Sequence, residues 1–248
     1  SPIGQKETHE FLSALNDFYR TSRFNDFFNT HTDIYELGLQ VFNDSVMALF
    51  DQEWYTRFYG TPPAEQFRII IGFTNGPCNY GPSRKLTGQP KEVFAIMNYA
   101  VDDNERPIFY KKVVETVVHE FCHSFTKIKG DTEKALEKSG KALQEYTYFS
   151  MRRQAYSTWR NILEESLVRA ATICYLIDHD YDEKDIRNAI IEQVDRNFFW
   201  MPELVQTLRY YESHRKKYPT FTSFYPEIIR FFDRYVTNME KEMKKAMK

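Results

Sequence analysis

Hydrophobic residues recur at intervals of three and four along most of the chain, a spacing that predicts amphipathic helices. The pattern begins with Phe11, Leu15 and Phe18 and returns in most later segments. The stretches that it predicts to be helical are residues 10–20, 34–54, 107–128, 131–148, 159–177, 183–199, 202–214 and 226–248. A turn is expected at residues 25–32. The chain should therefore be predominantly helical.

Two segments have the composition of β-strands instead. Residues 67–73 and 92–99 are rich in β-branched and aromatic side chains, and Asn75-Gly76-Pro77 is a turn signal after the first of them. They predict a small sheet just before the helix at 107–128. The expected fold class is α+β, predominantly helical, with a helical C-terminal lobe. We expect one domain over 1–248, in which 1–106 hold the N-terminal helices and sheet and 107–248 form the helical lobe.

Charge and hydropathy exclude several classes of partner. The net charge is −2 and the charged residues are interspersed, so the chain lacks the basic surface of a protein that binds nucleic acid or anionic membranes. No apolar run approaches the length of a membrane span, and the best of them, residues 167–177, contains Arg169. The sequence predicts no integral membrane segment.

Composition bears on the compartment but not on the ligand. Three cysteines do not form a disulfide framework. The chain starts Ser1-Pro2 without a methionine, so we expect a removed signal peptide and export to the periplasm, surface or surroundings of a bacterium. The 21 Phe and 17 Tyr are typical both of helical cores and of sugar-binding surfaces.

The strongest chemical signal is the segment His119-Glu120-Phe121-Cys122-His123 inside the helix predicted at 107–128. On a helix, the two histidines lie one turn apart on the same face, so both imidazoles can reach one metal ion. Glu120 lies beside them, where it can accept a proton from a water molecule. This H-E-x-x-H pattern predicts a Zn²⁺ site with Glu120 as general base.

Two histidines need a third protein ligand to complete a catalytic zinc site. The continuation H-E-x-x-H-x-x-G-x-x-H is excluded, because Thr126 and Lys129 stand at the positions it requires. A glutamate from a later helix is the other common solution. Glu164 and Glu165 are the candidates, since both lie in an apolar helix. Glu165 is preferred and Glu164 is the fallback.

Neighbouring residues are expected to support the site. Arg169 lies one turn after Glu165, where it either orients that carboxylate or forms an ordinary ion pair with it. Tyr80 and Tyr99 are candidates for stabilising the oxyanion of the intermediate. The sequence does not choose between them and four further candidates, Tyr146, Tyr148, His179 and His214.

The signature followed by a helical glutamate resembles the gluzincins, the thermolysin-like clan of zinc metallopeptidases. Together with Asn79-Tyr80-Gly81 and residues 165–170, it more closely resembles an uncharacterised bacterial family of unknown function whose members are regarded as metallopeptidases. The resemblance implies a zincin-like domain in which His119, His123 and Glu165 bind zinc. Arg169 stands where the thermolysin-like pattern has an aspartate, so the support of the ligands is expected to differ.

The resulting expectation is a zinc-dependent metallopeptidase that hydrolyses a peptide or protein substrate. The first alternative is a non-catalytic binding protein on the same scaffold, in which a fourth protein ligand closes the metal site. The second is a metal-free structural or carbohydrate-associated protein, for which the aromatic content is the only indication. The sequence does not predict the cleavage specificity or the oligomeric state.

Overall fold

The computed structural model describes residues 4–76 and 78–247, and these residues are predominantly helical. The helices are α1 (Gln5–Thr21), α2 (Phe24–Thr30), α3 (Thr32–Ser45), α4 (Trp54–Tyr59), α5 (Lys112–Cys122), α6 (Asp131–Tyr146), α7 (Tyr148–Arg153), α8 (Trp159–Asp178), α9 (Glu183–Asp195), α10 (Met201–Ser213) and α11 (Phe221–Ala246). The strands are β1 (Gln66–Ile71), β2 (Ser83–Arg84), β3 (Glu92–Met97), β4 (Ala100–Val101) and β5 (Pro107–Ile108). The predicted α+β class with a helical C-terminal lobe is confirmed.

The chain divides into two compact units. The first comprises residues 1–48 and 99–110, and the second comprises 49–98 and 111–248. The predicted single domain with a boundary at residue 107 stays a prediction. No helix in the described part of the chain is long and apolar enough to span a membrane.

The first unit contains α1 to α3 and the two-stranded β4–β5 hairpin. Helices α1 and α2 contain no buried residue among those described, and Phe11, Phe18 and Phe27 are at least half exposed. Part of the aromatic content therefore lies on the surface, and the alternative of an aromatic binding surface is not removed. The predicted turn at 25–32 is wrong, because α2 occupies most of it.

The second unit places a small sheet against the helices. The sheet has the order β1-β3-β2, with β1 parallel and β2 antiparallel to the central strand β3. Tyr80 extends the β2 edge, because its N–H and C=O pair with Ile96 at 3.0 and 2.8 Å. Helix α5 packs between β3 and α8. The predicted strands are confirmed, and they end at Ile71 and Met97.

An aromatic cluster holds the back of α5. Phe121 stacks on Phe67 of β1 with ring centroids 4.2 Å apart, and Phe125 stacks on Tyr59 of α4 at the same distance. The Tyr55 hydroxyl donates to the Val118 carbonyl oxygen at 3.2 Å. The buried face of α5 is therefore fixed by neighbours from α4 and β1, and this leaves the opposite face for chemistry.

The single helix predicted at 107–128 is wrong at both ends. Pro107 and Ile108 pair with β4 instead, because the Asp102 carboxylate accepts the backbone N–H groups of Asn104 and Arg106 and closes the hairpin turn. At the other end, the N–H groups of residues 124 and 125 bond three residues back, which tightens and ends the helix. The second histidine of the signature thus lies just after the last residue of α5 rather than in mid-helix.

Candidate metal centre

His119 and His123 lie on the face of α5 that turns away from the aromatic cluster. Val114, Val117, Val118 and Phe121 are buried on the other side of this amphipathic helix. The two imidazole rings are one turn apart, with centroids separated by 5.0 Å. Both imidazole rings are only partly exposed to solvent, and their positions on the helix set the direction in which they point.

Glu165 of α8 meets both histidines. Its Oε1 lies 3.4 Å from Nε2 of His119, and its Oε2 lies 3.7 Å from Nε2 of His123. One donor atom from each residue lies within 4.8 Å of the others. The structure therefore brings together the three residues that sequence analysis selected as ligands.

Glu164, the fallback ligand, points elsewhere. Its Oε1 accepts the backbone N–H of Ile128 at 2.8 Å, and its Oε2 pairs with Nζ of Lys127 at 3.0 Å. This carboxylate anchors the segment that follows the signature. The choice between the adjacent glutamates is thus made by the rotation of α8 against α5.

Arg169 and Tyr156 hold the Glu165 carboxylate. Nη2 of Arg169 is 2.7 Å from Glu165 Oε1, and the Tyr156 hydroxyl donates to the same oxygen at 2.9 Å. Arg169 also donates to the Tyr156 oxygen at 3.0 Å. Arg169 is therefore a buried partner of Glu165, with a side chain only 11 % exposed, and not a surface ion-pair residue. Tyr156 was not among the sequence-based candidates, since nothing in the sequence distinguishes it from other tyrosines.

The ionisation of the cluster suits metal binding. Burial lowers the pKa of His119 to about 4 against the attraction of Glu165, and burial likewise lowers the pKa of His123. Burial alone would raise the pKa of Glu165, but its interactions with His119, Arg169 and His123 and the Tyr156 hydrogen bond hold that pKa below its usual value. Near neutral pH the cluster therefore presents two neutral imidazoles and one carboxylate.

Glu120 stands next to the cluster and has the protonation behaviour of a general base. Burial and the nearby charge of Glu165 raise the pKa of Glu120 to about 7. Its carboxylate lies against the backbone of Gly81, where an added Cβ would come within 2.1 Å of Oε2. A glycine at position 81 is thus what allows the carboxylate to occupy this place.

A cavity of about 880 Å³ adjoins the cluster on the side of His119. Its lining includes His119, Glu120, Tyr80, Arg169 and Gln193. The cavity is large enough for several residues of a peptide. Tyr80 therefore lines the same cavity as His119 and Glu120.

Other sequence-based candidates lie in different surroundings. His179 contacts Asp51 at 3.1 Å and stacks on Tyr175, and His214 stacks on Tyr210. Tyr99 belongs to the first unit, and its role stays a prediction.

The donor set fits zinc. Two imidazole nitrogens and one carboxylate are the ligands of many catalytic zinc sites, which keep the fourth position for water or substrate. Among the described residues, no fourth His, Cys, Asp or Glu joins the group. Such a set leaves one side of a bound ion open.

Residues 3–231 match the family described as Domain of unknown function (DUF4932). The chain belongs to this family. The match covers both units and includes every member of the metal cluster. No curated protein and no solved structure matches the chain.

Proposed function

We propose that the chain is a zinc-dependent metallopeptidase of the gluzincin type. The observation that carries the proposal is the convergence of His119, His123 and Glu165 within 4.8 Å. Glu120 is adjacent to His119, and these two residues line an open cavity. His119, His123 and Glu165 would hold the ion. When bound there, zinc would supply Lewis acidity towards a water molecule and the carbonyl of the scissile bond.

Side chains of the protein carry out the proton transfers and orient the ligands. Glu120 accepts a proton from the attacking water and transfers it to the leaving amine. Glu120 is placed for both roles, because it is adjacent to the ligand His119 and lines the same cavity. Arg169 and Tyr156 keep Glu165 oriented throughout, since both contact its Oε1.

Two features favour a peptidase over a binding protein that uses zinc structurally. The described residues supply three ligands and no fourth, whereas a closed structural site has four. The Glu120 carboxylate also lies next to the ligand His119 and lines the same cavity, an arrangement that a structural site does not need.

The test begins with metal content measured by mass spectrometry on protein purified without chelator or metal-affinity resin. We expect about one zinc per chain in the wild type, and greatly reduced zinc in Glu165→Ala. The zinc-loaded wild type should then be screened for hydrolysis of a peptide mixture, alongside Glu120→Gln. This variant should keep its zinc and lose hydrolysis by roughly 10²–10⁴-fold.

Three results would contradict the proposal. Absence of bound zinc in the wild type, even after zinc is added back, would show that these residues do not bind zinc. Zinc without hydrolysis of any peptide would favour the non-catalytic binding protein. Undiminished hydrolysis by Glu120→Gln would show that Glu120 is not the general base.

A further inference from the structure

Glu115 lies one helical turn before His119 on the same face of α5. It lines the cavity above the metal cluster and also an adjoining cavity of about 250 Å³ between α5 and α9. Four residues of helix correspond to about 6 Å along the axis. In an extended peptide this distance equals about two residues.

The cationic side chains around Glu115 already have partners. Lys112 lies 2.6 Å from Glu192, and Arg196 lies 3.0 Å from the same carboxylate. Lys111 lies 3.9 Å from Asp185 and covers the ring of Tyr181.

The Glu115 carboxyl, in contrast, has neither an ion pair nor a side-chain hydrogen bond among the described residues. It is also partly buried, and burial together with the charges of Glu192 and Asp185 raises its pKa, against the longer-range attraction of Lys112 and Lys111. An acidic group that is desolvated without a partner lowers stability unless a ligand compensates its charge. The cavity thus contains a carboxyl suited to a cationic ligand.

We infer that Glu115 binds a positively charged group of the substrate, a primary ammonium or a guanidinium, within about two residues of the scissile bond. This inference rests on the proposed peptidase function and specifies its substrate class. The charge can come from a Lys or Arg side chain or from the amino terminus of the peptide.

Cleavage preference is the first test. The zinc-loaded full chain is incubated with N-acetylated peptides that carry lysine, norleucine or glutamate at otherwise identical positions, and the products are identified by mass spectrometry. We expect bonds within two residues of lysine to be cleaved about tenfold faster than their norleucine counterparts, a factor worth about 1.4 kcal/mol. Glu115→Gln should lose this preference. Glu137→Gln, an exposed glutamate of α6, should keep it.

The same peptides without the acetyl group distinguish the two sources of charge. A preference that follows lysine in acetylated peptides assigns the site to a side chain. A preference restricted to free amino termini assigns it to the end of the chain. Either pattern supports the inference if the preference disappears in Glu115→Gln.

A binding measurement keeps this inference separate from the proposed reaction. The lysine and norleucine peptides are titrated calorimetrically into the full chain carrying Glu120→Gln, with and without Glu115→Gln. Tighter binding of the lysine peptide that depends on Glu115 supports the inference even if no peptide is hydrolysed. Absence of hydrolysis would contradict only the peptidase proposal. The inference is overturned if neither lysine nor a free amino terminus improves binding, or if hydrolysis shows no preference for either positive charge. The proposed peptidase function does not depend on this outcome.

Discussion

The carboxylate of Glu120 touches the backbone of Gly81, so closely that a Cβ at position 81 would lie 2.1 Å from Oε2. The atom in the way is the far end of a flexible side chain, so Gly81→Ala should displace the carboxylate rather than disrupt the backbone before β2. A misplacement of about 1 Å in a catalytic group can cost on the order of 10²-fold in rate. We therefore expect kcat to fall by about that factor while zinc content stays at the wild-type level.

The control for this variant is Ser83→Ala, which changes an exposed residue of β2 in the same edge segment. It should leave kcat and the melting temperature unaffected. Wild-type kcat in Gly81→Ala would show that Glu120 does not depend on this contact. A large drop in melting temperature would instead assign a structural role to the glycine.

Arg169→Met should destabilise the zinc-free protein by about 3–5 kcal/mol, because it leaves the Glu165 carboxylate buried without its permanent cation. The two side chains are 11 % and 6 % exposed, so water cannot replace the lost partner. Urea unfolding of Arg169→Met, Glu165→Gln and the double variant measures the coupling. The double variant should be more stable than Arg169→Met alone.

The matched control lies on the same helix. Arg160 pairs with Glu133 at the surface, with a side chain 46 % exposed, so Arg160→Met should cost at most about 1 kcal/mol. Strictly additive effects of Arg169→Met and Glu165→Gln would refute the buried pairing.

Zinc should stabilise the folded chain, because the three ligands converge only after folding. Free zinc at about 100 times Kd should raise the free energy of unfolding by about 2.7 kcal/mol. Glu165→Ala should lose most of this gain, measured by thermal unfolding at fixed zinc concentration. Magnesium is the control, since it prefers oxygen ligands and should not stabilise the chain. If zinc raised the free energy of unfolding of Glu165→Ala as much as that of the wild type, the zinc would be bound at another site.

The stability of the folded chain should also depend on pH through Glu212. Burial, the hydrogen bond to Asp178 and the charge of Asp178 raise the pKa of Glu212 to about 8, against the attraction of Arg209. The folded state therefore binds a proton that the unfolded state has released above its ordinary pKa of 4.5. The free energy of unfolding should thus fall as pH rises between these two values, by at most about 1.4 kcal/mol per pH unit from this group.

Glu212→Gln imitates the protonated form and should flatten this slope between about pH 5 and pH 8. The pKa of Asp178 is lowered, against its burial, by its hydrogen bonds to Glu212, Trp54 and Arg209, so its contribution is lost only below this range. Urea unfolding at several pH values measures the effect. Glu203→Gln, at an exposed position near the start of α10, should keep the wild-type slope. An unchanged slope in Glu212→Gln would show that Glu212 is ionised in the folded chain.

Short-range patterns predicted much of the fold. The three- and four-residue spacing predicted most helices of the second unit, and β-branched runs predicted β1 and β3. The error at the start of α5 lies where contacts outside the segment decided the outcome. Residues 107–108 became a strand because β4 pairs with them, and this pairing depends on the turn at Asp102.

The sequence by itself determined the identity of the chemical groups and their spacing on one helix. His119, Glu120 and His123 are close in the chain, so helical geometry alone places the two imidazoles together. Only the tertiary structure chose Glu165 over Glu164, since adjacent residues point in directions about 100° apart and the packing of α8 on α5 selects one of them. It alone brought Tyr156 to Glu165 and Gly81 to Glu120, because such contacts join segments whose approach depends on the packing of the whole core.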